Sequence, residues 1–196
     1  MLPSDVLRVA LHPTTGWSDR VLGRRLVSGG AVVAAAGVVA GALSAVATAL
    51  EPESLAVSGA GYGFSIVLPV LFAGFWLIDA VIVDAVAQTM GAPARLRTWA
   101  AASAHAIPLL CGFEVVRVLQ ALVDRTGAVD LSTAIGFVEF GVIAWFIWVI
   151  TGGVRAVYDL VPFSAVAAAL APPAAMMALL IVLLLVATVL HIAGAG

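Results

Sequence analysis

Long apolar runs separated by short polar, glycine- or proline-bearing breaks dominate the chain. The first run, 26–50, ends at Glu51, Pro52 and Glu53. The second, 62–86, is interrupted only by Asp79 and Asp84, and a turn at Gly91-Ala92-Pro93 follows. The third, 99–123, carries His105, Glu114 and Arg117 and closes at Asp124-Arg125-Thr126-Gly127. The fourth, 131–151, holds Glu139 and the aromatic group Trp145, Phe146 and Trp148, and stops near Gly152-Gly153. The last, 174–192, is free of charge and is opened by Pro172-Pro173, because proline suits a first helical turn whose amides lack partners.

Each run is 19 to 25 residues long. A helix rising about 1.5 Å per residue crosses roughly 30 Å of hydrocarbon in that length. The runs are too long for barrel strands and do not alternate strictly. They predict an all-α polytopic membrane helix bundle of five transmembrane helices, spanning 26–193, preceded by a cytoplasmic or interfacial segment, 1–25. In that segment Pro13 and Gly16 break any helix, and Trp17 with Arg20, Arg24 and Arg25 is expected at headgroup level. Between the fourth and fifth runs, 154–171 is interrupted by Arg155, Asp159 and Pro162, which predicts an interfacial or re-entrant segment and not a span. No internal repeat is evident, unlike transporters built from inverted halves.

Composition agrees with lipid as the solvent. Hydrophobic residues make up 63% and charged residues 10%, with a mean hydropathy of +1.17, whereas soluble domains carry about a quarter charged residues. The cations are all arginine, with no lysine, a bias that suits a GC-rich prokaryotic coding sequence. A net charge of −2 with scattered arginines lacks the cationic footprint that nucleic acid requires. Cys111 is the only cysteine, so an intrachain disulfide and any CxxC metal site are excluded; it reads as a small buried hydrophobe.

The arginines also set a direction. With the N-terminus in the cytoplasm, the inner segments hold seven (Arg8, Arg20, Arg24, Arg25, Arg95, Arg97 and Arg155), and the outer segments hold only Arg125 beside Glu51, Glu53, Asp124 and Asp130. Positive residues gather inside, so the N-terminus is expected in the cytoplasm of a multi-pass cell-membrane protein. Arg24-Arg25, the first apolar run and Ala47-Thr48-Ala49 also resemble a cleavable signal peptide. The long preceding segment and the full spanning length favour a retained helix.

Two features bear on packing and chemistry. Gly37 with Gly41, and Gly59 with Gly63, form GxxxG pairs, expected to serve internal helix packing, with a homo-oligomer seam as the alternative. Charges within the spans sort by depth. Asp79, Asp84, His105 and Arg155 form a candidate polar cluster toward the inner side; Glu114, Arg117 and Glu139 form one toward the outer side. Charges at membrane depth either pair with one another and fix helix register, or mark a polar route for protons or ions. A metal site from Asp79, Asp84 and His105 is disfavoured, because residues at i, i+5 lie about 140° apart around a helix.

Motifs of soluble catalysis are missing. No nucleotide-binding glycine loop, HExxH or GxSxG occurs. Haem held between helices needs two histidines at matching depth, and His105 and His191 belong to opposite ends of their spans. No catalytic residue, metal or cofactor is assigned, and an enzyme is not expected. The expected partners are the lipid bilayer and either further copies of the chain or other membrane proteins.

The order of these features resembles a known group. Pro13 and Trp17 precede the first span, and Met90-Gly91-Ala92-Pro93 follows the charged end of the second. Ala102-Ser103-Ala104-His105-Ala106-Ile107-Pro108-Leu109 places a proline in the third. Arg155-Ala156-Val157-Tyr158-Asp159 precedes a proline-started fifth. From about residue 10 to 192 the chain looks like the prokaryotic branch of the Yip domain family, five-span proteins related to eukaryotic Ypt/Rab-interacting proteins. His105 stands where the family pattern has an aromatic residue. The resemblance implies that eukaryotic relatives bind small GTPases through a long cytosolic N-terminal region, and that prokaryotic members are membrane proteins of unassigned biochemical role; the expected function is a non-enzymatic membrane-organising or scaffold protein. A small transporter or ion or proton channel using the intramembrane carboxylates is the alternative.

Overall fold

The computed structural model describes residues 2–13, 15–17, 19–23, 25–50, 60–127 and 129–194. Arg24, Glu51, Glu53 and Gly59 lie outside them, as do the side chains of Arg20, Asp130 and His191. The described residues form helices and no strand: α1 (Leu2–Leu11), α2 (Asp19–Leu22), α3 (Leu26–Leu50), α4 (Ala60–Thr89), α5 (Leu96–Ser103), a 3-10 turn (Ile107–Leu110), α6 (Cys111–Asp124), α7 (Val129–Tyr158) and α8 (Pro162–Gly194).

Four helices are individually long and apolar enough to cross a membrane: α3, α4, α7 and α8. The third apolar run is not one straight helix. It is α5 followed by the 3-10 turn and α6, bent by 44°, and the two parts together reach spanning length. Pro108 accounts for the break, since it cannot donate to the carbonyl of Ala104 and its ring crowds the preceding turn.

α3 and α4 are the most closely packed pair, and their sequences explain why. Gly37 and Gly41 face Pro69 and Ser65; a Cβ on Gly37 would stand 2.5 Å from Pro69 Cα, and one on Gly41 2.6 Å from the Ser65 carbonyl oxygen. Pro69 lacks the N–H that would bond the Ser65 carbonyl, four residues earlier. That carbonyl faces Gly41, and a Cα–H beside a carbonyl is a weak but favourable contact between helices. Among the described residues, Gly63 has nothing within 4 Å of the position its Cβ would take, and it takes no part in this seam.

The stretch 154–171 is not an element of its own. Arg155 to Tyr158 complete α7, and residues from Pro162 onward already belong to α8, which continues through Pro172 and Pro173. Asp159 stops α7: it takes a left-handed backbone with φ 54°, and its N–H bonds the Arg155 carbonyl at 3.0 Å. The prolines do not start a new helix because Ala165, Ala168, Ala169 and Pro172 are buried, on a helix that packs against α4 and α7. Tertiary packing thus outweighs the hydrogen bonds that the prolines forfeit.

Trp17, expected at headgroup level, is packed inside protein. It is 5% exposed and lies on α7, where Gly153 leaves room: a Cβ there would meet the indole at 2.7 Å. Its Nε1–H donates to the Val149 carbonyl at 3.1 Å. The indole NH finds its partner in protein, so burial satisfies what the interface would otherwise supply. Trp145 has a similar role, donating to the Ala10 carbonyl at 3.1 Å and tying α1 to α7. Trp17, Val21, Trp99, Val154 and Tyr158 belong to the buried core at this end. The opposite halves of α7 and α8, including Phe137, Phe140 and Met177 to Val186, are largely exposed.

Candidate functional site

Asp84 is a junction of three elements. It sits near the end of α4 and is 5% exposed. Tyr158, the last residue of α7, donates its hydroxyl to Oδ1 at 2.7 Å. The backbone N–H of Arg95, at the entry of α5, donates to the same oxygen at 2.8 Å. Gln88, one turn along α4, donates through Nε2 to Oδ2 at 2.7 Å. Arg95 reaches past the carboxylate, and its Nη1 donates to the Val157 carbonyl at 2.6 Å. The α5 entry has no side-chain cap of its own; Asp84 supplies an acceptor there from another helix.

An aromatic wall backs this junction. Trp99, fully buried in α5, has its ring centroid 6.3 Å from Tyr158 and 6.3 Å from Trp17. Its Nε1 has no hydrogen-bond partner among the described residues. Asp79 lies about a turn and a half earlier on α4, 3% exposed, with Oδ2 likewise lacking a hydrogen-bond partner among the described residues.

His105 occupies the break between α5 and the 3-10 turn and is fully buried. Its backbone N–H bonds Ala102 at 3.0 Å, in the tighter 3-10 manner, and so leaves the Ala101 carbonyl. The imidazole covers that loss: Nδ1 lies 3.2 Å from the Ala101 carbonyl and 3.3 Å from the Ala102 carbonyl, which places the proton on Nδ1. The Ala100 carbonyl receives Trp76 Nε1–H at 2.8 Å, from α4. Irregular backbone at membrane depth requires such cover from protein. The fourth residue of the inner group, Arg155, is exposed on the last turn of α7.

In the outer group, Arg117 Nη1 stands 3.3 Å from Glu114 Oε2 and donates to Ser44 Oγ on α3 at 3.2 Å. The ion pair foreseen on α6 is therefore present, with Ser44 as its described neighbour. Glu139 is half-buried on α7, and no contact described for this pair involves it. Among the described residues, no three His, Cys, Asp or Glu side chains come together to hold a metal ion.

Sequence reasoning did not single out Tyr158, Gln88, Trp99 or Ser44 as site residues. Tyr158 left one usable signal: a hydroxyl-bearing ring at the end of a span, beside Arg155 and Asp159. Such a residue reads first as an interfacial anchor, and only α4 packing beside it reveals the carboxylate. Comparison of the chain with protein-family models, curated proteins and solved structures finds no match.

Proposed function

We propose that this chain is a non-enzymatic integral membrane protein of the Yip type, acting as a membrane-organising scaffold. It crosses the cell membrane five times, with the bent α5–α6 unit as one broken span and the N-terminus in the cytoplasm. The observation that carries this reading is the use made of the buried polar groups. Asp84 is occupied by donors from α4, from the entry of α5 and from α7, and Arg117 by Glu114 and Ser44. Groups so engaged hold helices in register. The excess of arginine on one side supports the orientation, and the residues shared with the Yip pattern support the family. Lipid is the natural partner of the apolar, exposed halves of α7 and α8.

One observation favours a second reading, a proton or ion path: the buried, unpartnered carboxylate oxygen of Asp79. Purified protein in liposomes separates the two. The scaffold reading expects no proton or ion flux above empty liposomes, with Asp79→Asn and Glu114→Gln altering stability alone. Flux that Asp79→Asn abolishes in a folded protein would establish the path. Orientation is read by labelling His12→Cys and Gly127→Cys, each in a Cys111→Ala background, from either side of the membrane.

A further inference from the structure

The first turns of two helices meet a cavity whose chemistry the helix junction does not use. The cavity, about 600 Å³, is lined by Leu22, Arg25, Leu26, Val27, Arg97 and Thr98. Arg25 immediately precedes α3, and Arg97 lies in the first turn of α5. Both are exposed, and among the described residues neither guanidinium has an ion-pair or hydrogen-bond partner. Their neighbour Arg95 is spent on the Val157 carbonyl, and Asp84 on its three donors, so neither carboxylate nor carbonyl competes for the pair. No acidic residue is among the described residues that line the cavity. The remaining wall is apolar, and Val27 is 85% exposed where the hydrophobic run of α3 begins.

We infer that this cavity binds the headgroup phosphate of an anionic phospholipid, with one acyl chain along Leu26 and Val27. Two guanidiniums from separate elements form a fork suited to phosphate oxygens, and the Thr98 hydroxyl adds a donor. The position matches the ligand: the cations stand where α3 passes from headgroup to hydrocarbon depth, so phosphate and chain would each meet their own kind of surface. A free phosphate ion would use the same guanidiniums and gain nothing from the apolar wall. The assignment to the inner leaflet rests on the orientation proposed above.

The test uses the full chain in detergent micelles, with retained phosphatidylglycerol and phosphatidylcholine compared by native mass spectrometry. Wild type should prefer phosphatidylglycerol on the order of thirtyfold, as two cations near a membrane surface contribute. Arg25→Gln with Arg97→Gln should abolish the preference, each single variant should reduce it, and Arg155→Gln, exposed at the end of α7, should leave it intact. If the double variant fails to fold, the single variants decide. An unchanged preference in the Arg25 and Arg97 variants, or an equal loss in Arg155→Gln, would overturn the site. Displacement of the lipid from wild type by millimolar inorganic phosphate would show a free-anion site instead. Site-specific labelling reads orientation separately, so a lost lipid preference and a reversed topology give different results.

Discussion

Tyr158 and Asp84, 74 residues apart in the chain, meet through a hydroxyl-to-carboxylate hydrogen bond of 2.7 Å that joins the end of α7 to the end of α4. Because the Arg95 amide shares the same oxygen, one carboxylate fixes the relative positions of three elements. Asp84 therefore has more to do with where helices end than with the chemistry of a reaction.

Tyr158→Phe removes one donor and leaves the ring against Trp99. Hydrogen bonds between membrane helices average about 0.6 kcal/mol and reach about 1.7 kcal/mol, and a charged acceptor favours the upper end. The expected loss is about 1–2 kcal/mol, with a greater loss for Asp84→Ala, which strands three donors. Denaturant titration in mixed micelles measures both; a Tyr158→Phe protein as stable as wild type would remove the junction from the account.

The α3–α4 seam predicts a contrast between glycines of one sequence type. Gly37→Val and Gly41→Val force side-chain atoms onto Pro69 and the Ser65 carbonyl, and should cost about 1–3 kcal/mol or more by overpacking. Gly63→Val meets open space and should be nearly neutral. Melting temperatures of the three purified variants check this ordering.

His105→Phe would place at the break the kind of residue that the Yip pattern has there. It would also remove the donor covering the Ala101 and Ala102 carbonyls, at about 1–3 kcal/mol for a buried group left unsatisfied. The expected result is a lower melting temperature with unchanged liposome flux. Unaltered stability would show that the imidazole is not needed to cover the broken backbone.

Trp17→Ala should release the N-terminal segment from α7. Truncating a buried tryptophan costs about 3–5 kcal/mol where the site cannot collapse, and the indole bond to Val149 is lost with it. Gly153→Val should act in the same direction by occupying the place of the ring. Limited proteolysis near residues 12–23 should become faster in both variants, while the apolar spans stay protected.

Much of the architecture could be read along the chain. Apolar runs of spanning length arise from the requirement that lipid-exposed backbone bond within its own segment, a local property, so α3, α4, α7 and α8 announce themselves. Glu114 and Arg117 likewise pair at i, i+3 on one helix, and their spacing alone makes the contact available. The limits of helices were harder. Pro172-Pro173 has the local signature of a helix start, yet α8 passes through it, because buried contacts on one face outweigh local backbone preference.

What the sequence by itself determined is an all-helical chain with helices long and apolar enough to cross a membrane, an arginine asymmetry and charges within the apolar runs. These follow from transfer free energies and helix periodicity, which act residue by residue. Only the tertiary structure decided that Trp17 is buried, that Gly41 meets the Ser65 carbonyl, and that Asp84 finds Tyr158 and the entry of α5. Each depends on which helix faces which, and within lipid that choice rests on close steric fit and hydrogen bonds between distant segments, for which hydropathy carries no signal.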